Sequence, residues 1–273
     1  MIVTKVRGGL GNQLFTYAAG RCLCVIYNLP LILDTSWYKT GARGLFIHNF
    51  NISGDVTEED QSGCDDGIGF NQKYWNYYPE FLELTNYKFL SGWWQSEQFF
   101  KQAEDVIRNE LKFIDSMLIK KSQQYFNMHT KPHAPVVAIH CRRGDYVGLA
   151  DKGMFTLLPP SYYIDAMSQF PEDTSFLLFS DDMAWCKQFL CDPRIVYCEV
   201  EDVLLSFAIM QLCDHFIIAN SSFSWWAAWL GEKQNSLIIS PDNTIWFGPI
   251  LSEKYKTDDI VPDRWMQIIA NGH

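Results

Sequence analysis

The sequence lacks the features of a membrane-embedded or secreted protein. It has no run that approaches the roughly 18–20 apolar residues of a membrane helix. Its first residues, Met1 to Arg7, are too soon interrupted by charge to serve as a secretory signal. We therefore expect a cytoplasmic protein.

The sequence also lacks an excess of positive charge. Its 22 Lys and Arg residues stand against 32 Asp and Glu, which gives a formal net charge of −10 at pH 7 and a pI near 5.0. A protein that holds a nucleic-acid backbone needs a broad basic surface, so we exclude nucleic acid as a partner. Any phosphate that this protein binds must meet a small, local cluster of cations.

Motifs for structural metal ions are missing as well. The chain has 8 cysteines, but neither Cys22 and Cys24 nor the group Cys186, Cys191 and Cys198 has the paired spacing of a zinc site. A cytoplasmic chain of this size needs no disulfides, so we expect reduced thiols. We predict no metal site, and we interpret the scattered histidines other than His140 as ordinary surface or core residues.

What is present fits a large α/β protein. A length of 273 residues exceeds the usual size of a single core, which predicts two domains of about 100–150 residues. The 48% of hydrophobic and 15% of aromatic residues can fill a core and also line a binding surface.

The amino-terminal half begins with a strand, a glycine turn and a helix. Residues 2–6 form a short apolar run, the glycine turn follows at residues 8–12, and a helical pattern extends from residue 13 to about residue 27. Residues 29–34 read as the next buried strand. They complete a β-α-β unit and predict a parallel sheet at this end of the chain.

The middle of the chain contains the predicted domain boundary. Residues 36–86 are irregular, 89–94 resemble a strand, 96–113 carry helical spacing, and the polar stretch 127–135 reads as a linker. After it, strand patterns alternate with helix-compatible stretches. These strands are predicted at residues 136–140, 176–179, 195–198, 216–219 and 237–239. We predict an α/β fold with one domain over residues 1–130 and a second, Rossmann-like domain over 131–273.

The strongest local signal is an apolar strand that runs directly into a charged turn, at residues 136–146. Ligands of open parallel sheets bind at the carboxyl ends of the strands. Side-chain alternation puts His140 and Arg142 on one face and sends Arg143 to the other. The Arg142 guanidinium could then hold a diphosphate and offset the charge of a departing oxygen. The alternative is that Arg142, Arg143 and Asp145 form surface ion pairs.

A second signal is a buried strand that breaks into small hydroxyl residues before a helix, at residues 216–226. Ser221 or Ser222 could cap that helix. A helix start with free backbone N–H groups is also a phosphate site, so the same geometry could hold a nucleotide diphosphate. Three tryptophans follow on helical spacing, and we interpret them as core residues.

Two further turns combine glycines or carboxylates with strand ends. The turn at residues 8–13 resembles a dinucleotide-binding fingerprint, but Leu14 stands where its third glycine belongs. Asn12 and Gln13 could point their amides into a cleft; the alternative is a tight strand-to-helix turn. Residues 179–182 end another strand with two carboxylates, for which we predict helix capping and hydrogen bonding rather than Mg²⁺ binding.

Three motifs in this order give the chain a resemblance to a known family. They are GGLGNQLF at residues 8–15, HCRRGDY at 140–146 and NSSFSWW at 220–226. With them the chain resembles the α1,2-fucosyltransferases of glycosyltransferase family 11. The resemblance implies a GT-B architecture, two facing Rossmann-like domains with an interdomain cleft. It assigns the acceptor to the amino-terminal domain and GDP-fucose to the carboxyl-terminal domain, whose last helix packs back across the cleft.

The same resemblance implies an activity. It is the inverting transfer of L-fucose from GDP-β-L-fucose to the 2-hydroxyl of a terminal galactose, which forms an α1,2 linkage. It implies no metal and no other cofactor, a galactose-terminated oligosaccharide as acceptor, and a peripheral place at the membrane where that acceptor is lipid-linked. The alternatives are a fucosyltransferase of another linkage, an inactive module that binds sugar nucleotides, and a nicotinamide-dependent oxidoreductase, which the missing third glycine disfavours.

Residue by residue, the resemblance implies catalytic roles for Arg142 and Asp145. The implied donor-binding residues are Gly11, Asn12, His140, Arg142, Arg143, Asp181, Asn220, Ser221, Ser222 and Phe223. Asp145 and Asp151 are both candidates for the general base. Ser206 stands where related enzymes often carry an Asp that accepts hydrogen bonds from guanine, and Asp202, one helical turn earlier, is the candidate to replace it.

Overall fold

The computed structural model describes residues 1–41, 43–62, 69–84, 89–132 and 134–269. The chain divides into two units. Unit 1 comprises Met1–Ile114 and the short segment Asp258–Pro262, and unit 2 comprises Asp115–Thr257 and the residues from Asp263 onward. Each unit is built around its own parallel sheet.

Unit 1 confirms the β-α-β start that the sequence predicts. Its strands and helices are β1 (Ile2–Lys5), α1 (Leu10–Tyr27), β2 (Leu31–Asp34), β3 (Asp55–Thr57), β4 (Gly69–Asn71), β5 (Phe89–Ser91) and α2 (Glu104–Glu110). The strands pair in the order β3-β2-β1-β5-β4, and every pairing is parallel. The carboxyl ends of β1 and β5 therefore lie side by side.

Helix α1 lies close against this sheet. A Cβ at Gly20 would come within 3.1 Å of the Thr4 side chain on β1 and 3.3 Å of the Leu31 side chain on β2, so a larger residue would push the helix away. The helix ends at Asn28, whose left-handed φ of 52° lets its N–H donate to the carbonyl of Cys24. Asparagine tolerates this conformation better than most residues.

A partly buried ion pair joins α1 to α2. Arg21 donates from Nη2 to Glu110 Oε1 at 2.8 Å and from Nε to both carboxylate oxygens. The Tyr17 hydroxyl donates to the same carboxylate at 2.5 Å. Burial, together with the bond to Glu110, raises the pKa of Tyr17, so the hydroxyl stays a donor. Both carboxylate oxygens thus accept from the Arg21 guanidinium, and Oε2 also accepts from the neutral Tyr17 hydroxyl.

Unit 2 confirms the predicted alternation of strands and helices. Its elements are α3 (Ser116–His129), β6 (Val136–Cys141), α4 (Gly144–Ala150), α5 (Pro160–Met167), β7 (Ser175–Ser180), α6 (Met183–Phe189), β8 (Ile195–Tyr197), α7 (Val203–Gln211), β9 (His215–Ile217), α8 (Ser222–Gly231), β10 (Ile238–Pro241), α9 (Pro249–Lys254) and β11 (Met266–Ile268). The sheet order is β11-β10-β9-β6-β7-β8, again parallel throughout. Strand β6 is central, with β7 and β9 as its neighbours.

The two faces of β6 serve different purposes. On one face Val137, Ile139 and Cys141 join the buried apolar cluster that includes residues of α5. On the other face the ring of His140 lies 5.4 Å from that of Phe223 on α8. This alternation is the one predicted from the sequence, and it directs the polar end of the strand away from the apolar cluster.

The division between the units lies earlier than the predicted boundary at residues 130 and 131. Helix α3 occupies residues that include part of the predicted linker and packs against α7, so it belongs to unit 2. The pattern missed this helix because its only buried residue is Ser122, while Met117 and Met128 are exposed. The later segment that belongs to unit 1 is Asp258–Pro262, which is not helical.

The predicted helix over residues 96–113 is only partly correct. The chain forms two 3-10 turns before α2 begins at Glu104. Phe99 packs edge-on against Trp94 at 5.3 Å and against Phe81 at 4.9 Å, and this aromatic cluster holds the segment away from a continuous α-helix. In the part of the chain that the structure describes, no helix is both long and apolar enough to cross a membrane.

Replacing Glu110 with Ala should lower the free energy of unfolding by about 3 kcal/mol, because the Arg21 charge would lose its buried partner. Scanning calorimetry of the full chain would measure the loss. As a control, Glu104→Ala removes a carboxylate that is paired with Arg108 but more exposed, and should cost less than about 1 kcal/mol. Equal losses in the two variants would contradict the structural importance of the partly buried pair.

Candidate active site

Three neighbouring strands of unit 2 end in polar turns at the same edge of the sheet. Strand β6 continues into Arg142 and Arg143, β7 into Asp181, and β9 leads to Asn220 and Ser221. Because these strands are parallel and adjacent, their carboxyl ends bring the turns together. The sequence motifs thus meet where open α/β sheets bind their ligands.

Arg142 is held between two carboxylates. Its Nη1 lies 2.5 Å from Asp181 Oδ2, and its Nη2 donates to Asp145 Oδ1. The guanidinium carbon also stands 5.3 Å from the centre of the Tyr146 ring. With 23% of its side chain exposed, Arg142 keeps a face toward solvent while its orientation is fixed.

Gly144 has a specific reason to lack a side chain. A Cβ at this position would lie 2.4 Å from Asp181 Oδ2. That carboxylate is not free to move aside, since it holds both the Arg142 side chain and the backbone N–H of Arg143, the latter at 2.8 Å. The glycine of the motif is therefore required for the close approach of Asp181.

Arg143 makes contacts of its own. Its Nε donates to Asp182 at 3.1 Å, and its guanidinium carbon lies 4.0 Å from the centre of the Trp185 ring. Asp182 also accepts from the Trp185 N–H and caps α6, which confirms the predicted capping role of the carboxylates after β7. Trp185 packs against the buried apolar cluster, so Arg143 points to that side, as strand alternation predicts.

His140 is buried beside the Arg142 turn. It is 7% exposed, and its Nδ1 has no hydrogen-bond partner among the described residues. Burial lowers the pKa of His140 to about 4, with Asp181 acting to raise it and Arg142 to lower it further. The imidazole is consequently neutral at pH 7.

Asn220 is a structural junction of the site. Its Nδ2 donates to the carbonyl oxygens of Thr156 at 3.0 Å and of Trp246 at 2.9 Å. The backbone carbonyl of Asn220 accepts from the Tyr146 hydroxyl at 3.1 Å. Asn220, to which the resemblance assigns a donor-binding role, is thus 1% exposed, and its side chain is hydrogen-bonded to two loops.

The start of α8 is open. Ser221 occupies the N-cap position, but its side chain makes no capping hydrogen bond, so the capping bond considered in the sequence analysis is absent. Ser222 and Phe223 form the first turn and are half-buried. The first N–H groups of a helix have no partner within it and attract anions. This turn therefore has the geometry of a phosphate site.

Tyr146 links the two candidate phosphate-binding features. Its ring faces Arg142, and its hydroxyl is bonded to Asn220, one residue before the Ser221 turn. Phe155 packs against Tyr146 itself, with the two ring centres 4.3 Å apart and the ring planes tilted by 30°. No role was predicted for Tyr146 from the sequence, although its place within the charged motif was a usable signal.

Several other candidates have defined places in unit 2. Asp202 caps α7 by accepting from the Leu205 N–H at 2.8 Å, and the Ser206 hydroxyl donates to the Val200 carbonyl at 2.8 Å. Asp151 stands at the end of α4 and is exposed. Within the described ranges, no group of three or more His, Cys, Asp or Glu side chains is arranged as metal ligands.

The amino-terminal candidates belong to unit 1. Gly11 is buried in the first turn of α1, and Asn12 Oδ1 accepts from Gln95 Nε2 at 2.7 Å. Gln13 is fully buried: its Oε1 accepts the N–H groups of Phe46 and Ile47, and its Nε2 donates to the Gly8 and Gly44 carbonyls. The interpretation of Gln13 as an amide pointing into a cleft is wrong, because all its polar atoms bind backbone.

Comparisons with known proteins agree with these motifs. The profile of Glycosyl transferase family 11 matches residues 71–265. An alpha-1,2-colitosyltransferase of Escherichia coli is 29% identical over 98% of this chain and 99% of its own length. Galactoside 2-alpha-L-fucosyltransferase Sec1 of Mus musculus is 25% identical over 84% of this chain and 64% of its own length.

A solved structure shares the fold. NodZ alpha-1,6-fucosyltransferase of Bradyrhizobium, in a crystal soaked with GDP-fucose, superposes with a TM-score of 0.51 at 15% identity, over 84% of this chain and 91% of that one. At this identity the likeness concerns the fold alone. With the two parallel sheets, it confirms the predicted α/β class and GT-B architecture.

His140 should make the protein less stable as the pH falls from about 6.5 toward 4. Its pKa is about 4 in the folded protein against an ordinary 6.5, so the unfolded chain takes up the proton first and is stabilised relative to the folded protein in this range. Denaturant unfolding across these pH values would measure the slope. In the variant His140→Gln the slope should be smaller, and an identical slope in both proteins would contradict the assignment.

Proposed function

We propose that this chain, which belongs to glycosyl transferase family 11, transfers L-fucose from GDP-β-L-fucose to the 2-hydroxyl of a terminal galactose with inversion. Family membership makes the chain a glycosyltransferase. The α1,2 linkage is supported by the relatives, which are named for alpha-1,2 and 2-alpha-L transfer. One observation carries the proposal: Arg142 and the open start of α8 are joined through Tyr146.

The geometry suits a diphosphate leaving group. As the acceptor oxygen bonds to C1 of fucose, the bond from C1 to the diphosphate oxygen breaks, and negative charge grows on that oxygen. The acceptor hydroxyl gives its proton to a base, for which Asp145 and Asp151 are the candidates. A guanidinium and a row of helix N–H groups are the donors that stabilise such charge. Arg142 and the first turn of α8 supply both kinds, and Asp145 and Asp181 fix the direction of the guanidinium.

The same donors support transfer without a metal ion. A Mg²⁺ ion in other sugar transferases neutralises the diphosphate, and here Arg142 and the α8 dipole provide positive charge at the edge of the sheet. Asp181 and Asp182 are occupied with Arg142, Arg143 and the cap of α6. We therefore propose that turnover continues in EDTA.

Colitose is the second candidate for the transferred sugar. The relative that aligns with 98% of this chain is named as a colitosyltransferase, and colitose is L-fucose without its 3-hydroxyl. Rates with GDP-fucose and GDP-colitose on one galactoside acceptor would separate the two. A site that hydrogen-bonds the 3-hydroxyl should prefer GDP-fucose by a large factor, whereas a preference for GDP-colitose would overturn the choice of L-fucose.

Incubation with GDP-fucose and a panel of β-galactosides, with and without EDTA, tests the activity itself. We expect an α1,2-fucosylated product at the same rate in both conditions. Binding of GDP-fucose by calorimetry without any product would instead identify an inactive sugar-nucleotide-binding module. Transfer to another hydroxyl would correct the linkage only.

Arg142→Ala should lower kcat by about 100- to 1,000-fold, because the lost guanidinium stabilises charge that develops in the transition state. Arg142→Lys should recover only part of this loss, since an ammonium lacks the planar fork. Thermal unfolding checks that both variants fold. The control Arg194→Ala removes a guanidinium paired with Asp192 elsewhere in unit 2 and should leave kcat unchanged; activity near wild type in Arg142→Ala would contradict the proposed role.

A further inference from the structure

Arg7 lies at the carboxyl end of β1, in unit 1, where no function has been assigned to it. Its guanidinium carbon stands 4.3 Å from the centre of the Trp93 ring, which follows the neighbouring strand β5. The residue is half-buried, and its Nε is buried without a hydrogen-bond partner in the part of the chain that the structure describes. Arg7 thus offers donors at a sheet edge of the kind that binds ligands.

Among the described residues Arg7 has no carboxylate partner, and this sets it apart. Six of the other seven arginines form ion pairs with Asp or Glu; they are Arg21, Arg108, Arg142, Arg143, Arg194 and Arg264. The Arg7 guanidinium lies against the Trp93 ring. Withdrawing a cation from water without an anion is unfavourable. An anion supplied by a ligand would satisfy it.

The backbone around Arg7 is held in unusual conformations. Gly8 has a φ of +80°, and a Cβ there would lie 2.7 Å from Asn12 Nδ2. Trp94 has a φ of 53°, in the left-handed region that residues other than glycine rarely adopt. Gln72 Oε1 secures this turn by accepting the N–H groups of Trp93 and Trp94 at 2.7 and 3.2 Å. Strained residues that the surroundings hold in place cluster at functional sites.

The same edge carries aromatic and amide groups that suit a sugar. The rings of Trp93 and Trp75 stack with centres 6.2 Å apart, and both residues are half-buried. The Asn12 and Gln95 side chains are hydrogen-bonded to each other nearby. Indole faces pack against the apolar faces of pyranose rings, and amides bind hydroxyl groups.

We propose that Arg7, Trp93 and the Asn12–Gln95 pair form a subsite for an anionic saccharide, in which Arg7 binds a carboxylate of the acceptor glycan. This assignment rests on the proposed function for the glycan class, since it takes the acceptor to be an oligosaccharide. It adds that the acceptor carries an acidic sugar in addition to its terminal galactose. The indole of Trp93 covers the ring that bears the charge.

Binding of galactose-terminated di- and trisaccharides that contain glucuronic acid tests the subsite. Each would be compared with its carboxamide, which is similar in shape but neutral and replaces one acceptor oxygen with an NH2 donor, by calorimetry on the full chain without donor. We expect wild type to bind the acid roughly 10- to 100-fold more tightly. Arg7→Gln should abolish this preference, and Arg7→Lys should retain part of it because the charge remains.

Controls separate the subsite from a structural role. Arg108→Gln removes a paired guanidinium of the same unit and should keep the preference for the acid. Trp93→Phe should weaken acid and carboxamide alike. Equal binding of acid and carboxamide by wild type, or an equal loss of both in Arg7→Gln with a lowered Tm, would overturn the proposal.

The diphosphate of the donor is the other possible source of an anion. GDP binding to wild type and Arg7→Gln decides between the two sources: unchanged GDP affinity supports the acceptor subsite, and a loss of GDP affinity without a loss of acid preference overturns it. The glycan measurements need no turnover. A protein that transferred neither fucose nor colitose but bound acidic glycans through Arg7 would refute the proposed function and leave the subsite intact.

Discussion

The grip of Asp145 and Asp181 on Arg142 is the constraint on which the rest of the unit 2 site depends. The two carboxylates fix a long side chain that would otherwise sample many rotamers. The position of Asp181 in turn requires Gly144 and aligns the Arg143 backbone through its N–H. One ion-paired cluster therefore determines the course of the turn between β6 and α4.

The neighbouring groups are adapted to that cluster. His140 shares the edge with a guanidinium and is buried, and it stays neutral at pH 7. A charged imidazole would add a second cation beside Arg142 inside the protein, which is unfavourable. The side-chain amide of Asn220 donates to two loops, and its backbone carbonyl accepts from the Tyr146 hydroxyl. These contacts between neutral groups hold the turns in place, and they add no charge that would compete with a charged ligand for Arg142.

The strand ends and the split between Arg142 and Arg143 could be predicted because both follow from local patterns. An apolar run marks β6, and alternation with period two determines which face each residue takes. The bonds of Asn220 to Thr156 and Trp246 could not be predicted, since they join residues that are 64 and 26 positions apart. Gln13 was misread for the same reason: its partners include Phe46 and Ile47, 33 and 34 positions away. Helix α3 was not predicted, because it buries so few apolar side chains that its sequence shows no helical period of hydrophobic residues.

Arg142 and Arg7 differ in a way that suits different tasks. Arg142 and Arg143 face three carboxylates, those of Asp145, Asp181 and Asp182, so this cluster of two positive and three negative groups carries a net charge of −1. A net negative charge does not favour a diphosphate that is already charged when it binds. The Arg142 guanidinium therefore contributes most where new charge appears on the leaving oxygen, which favours the transition state over the ground state. Arg7 has no such compensation among the described residues. An uncompensated guanidinium favours an anion that is already charged when it binds, and that preference is the property of a recognition residue rather than of a catalytic one.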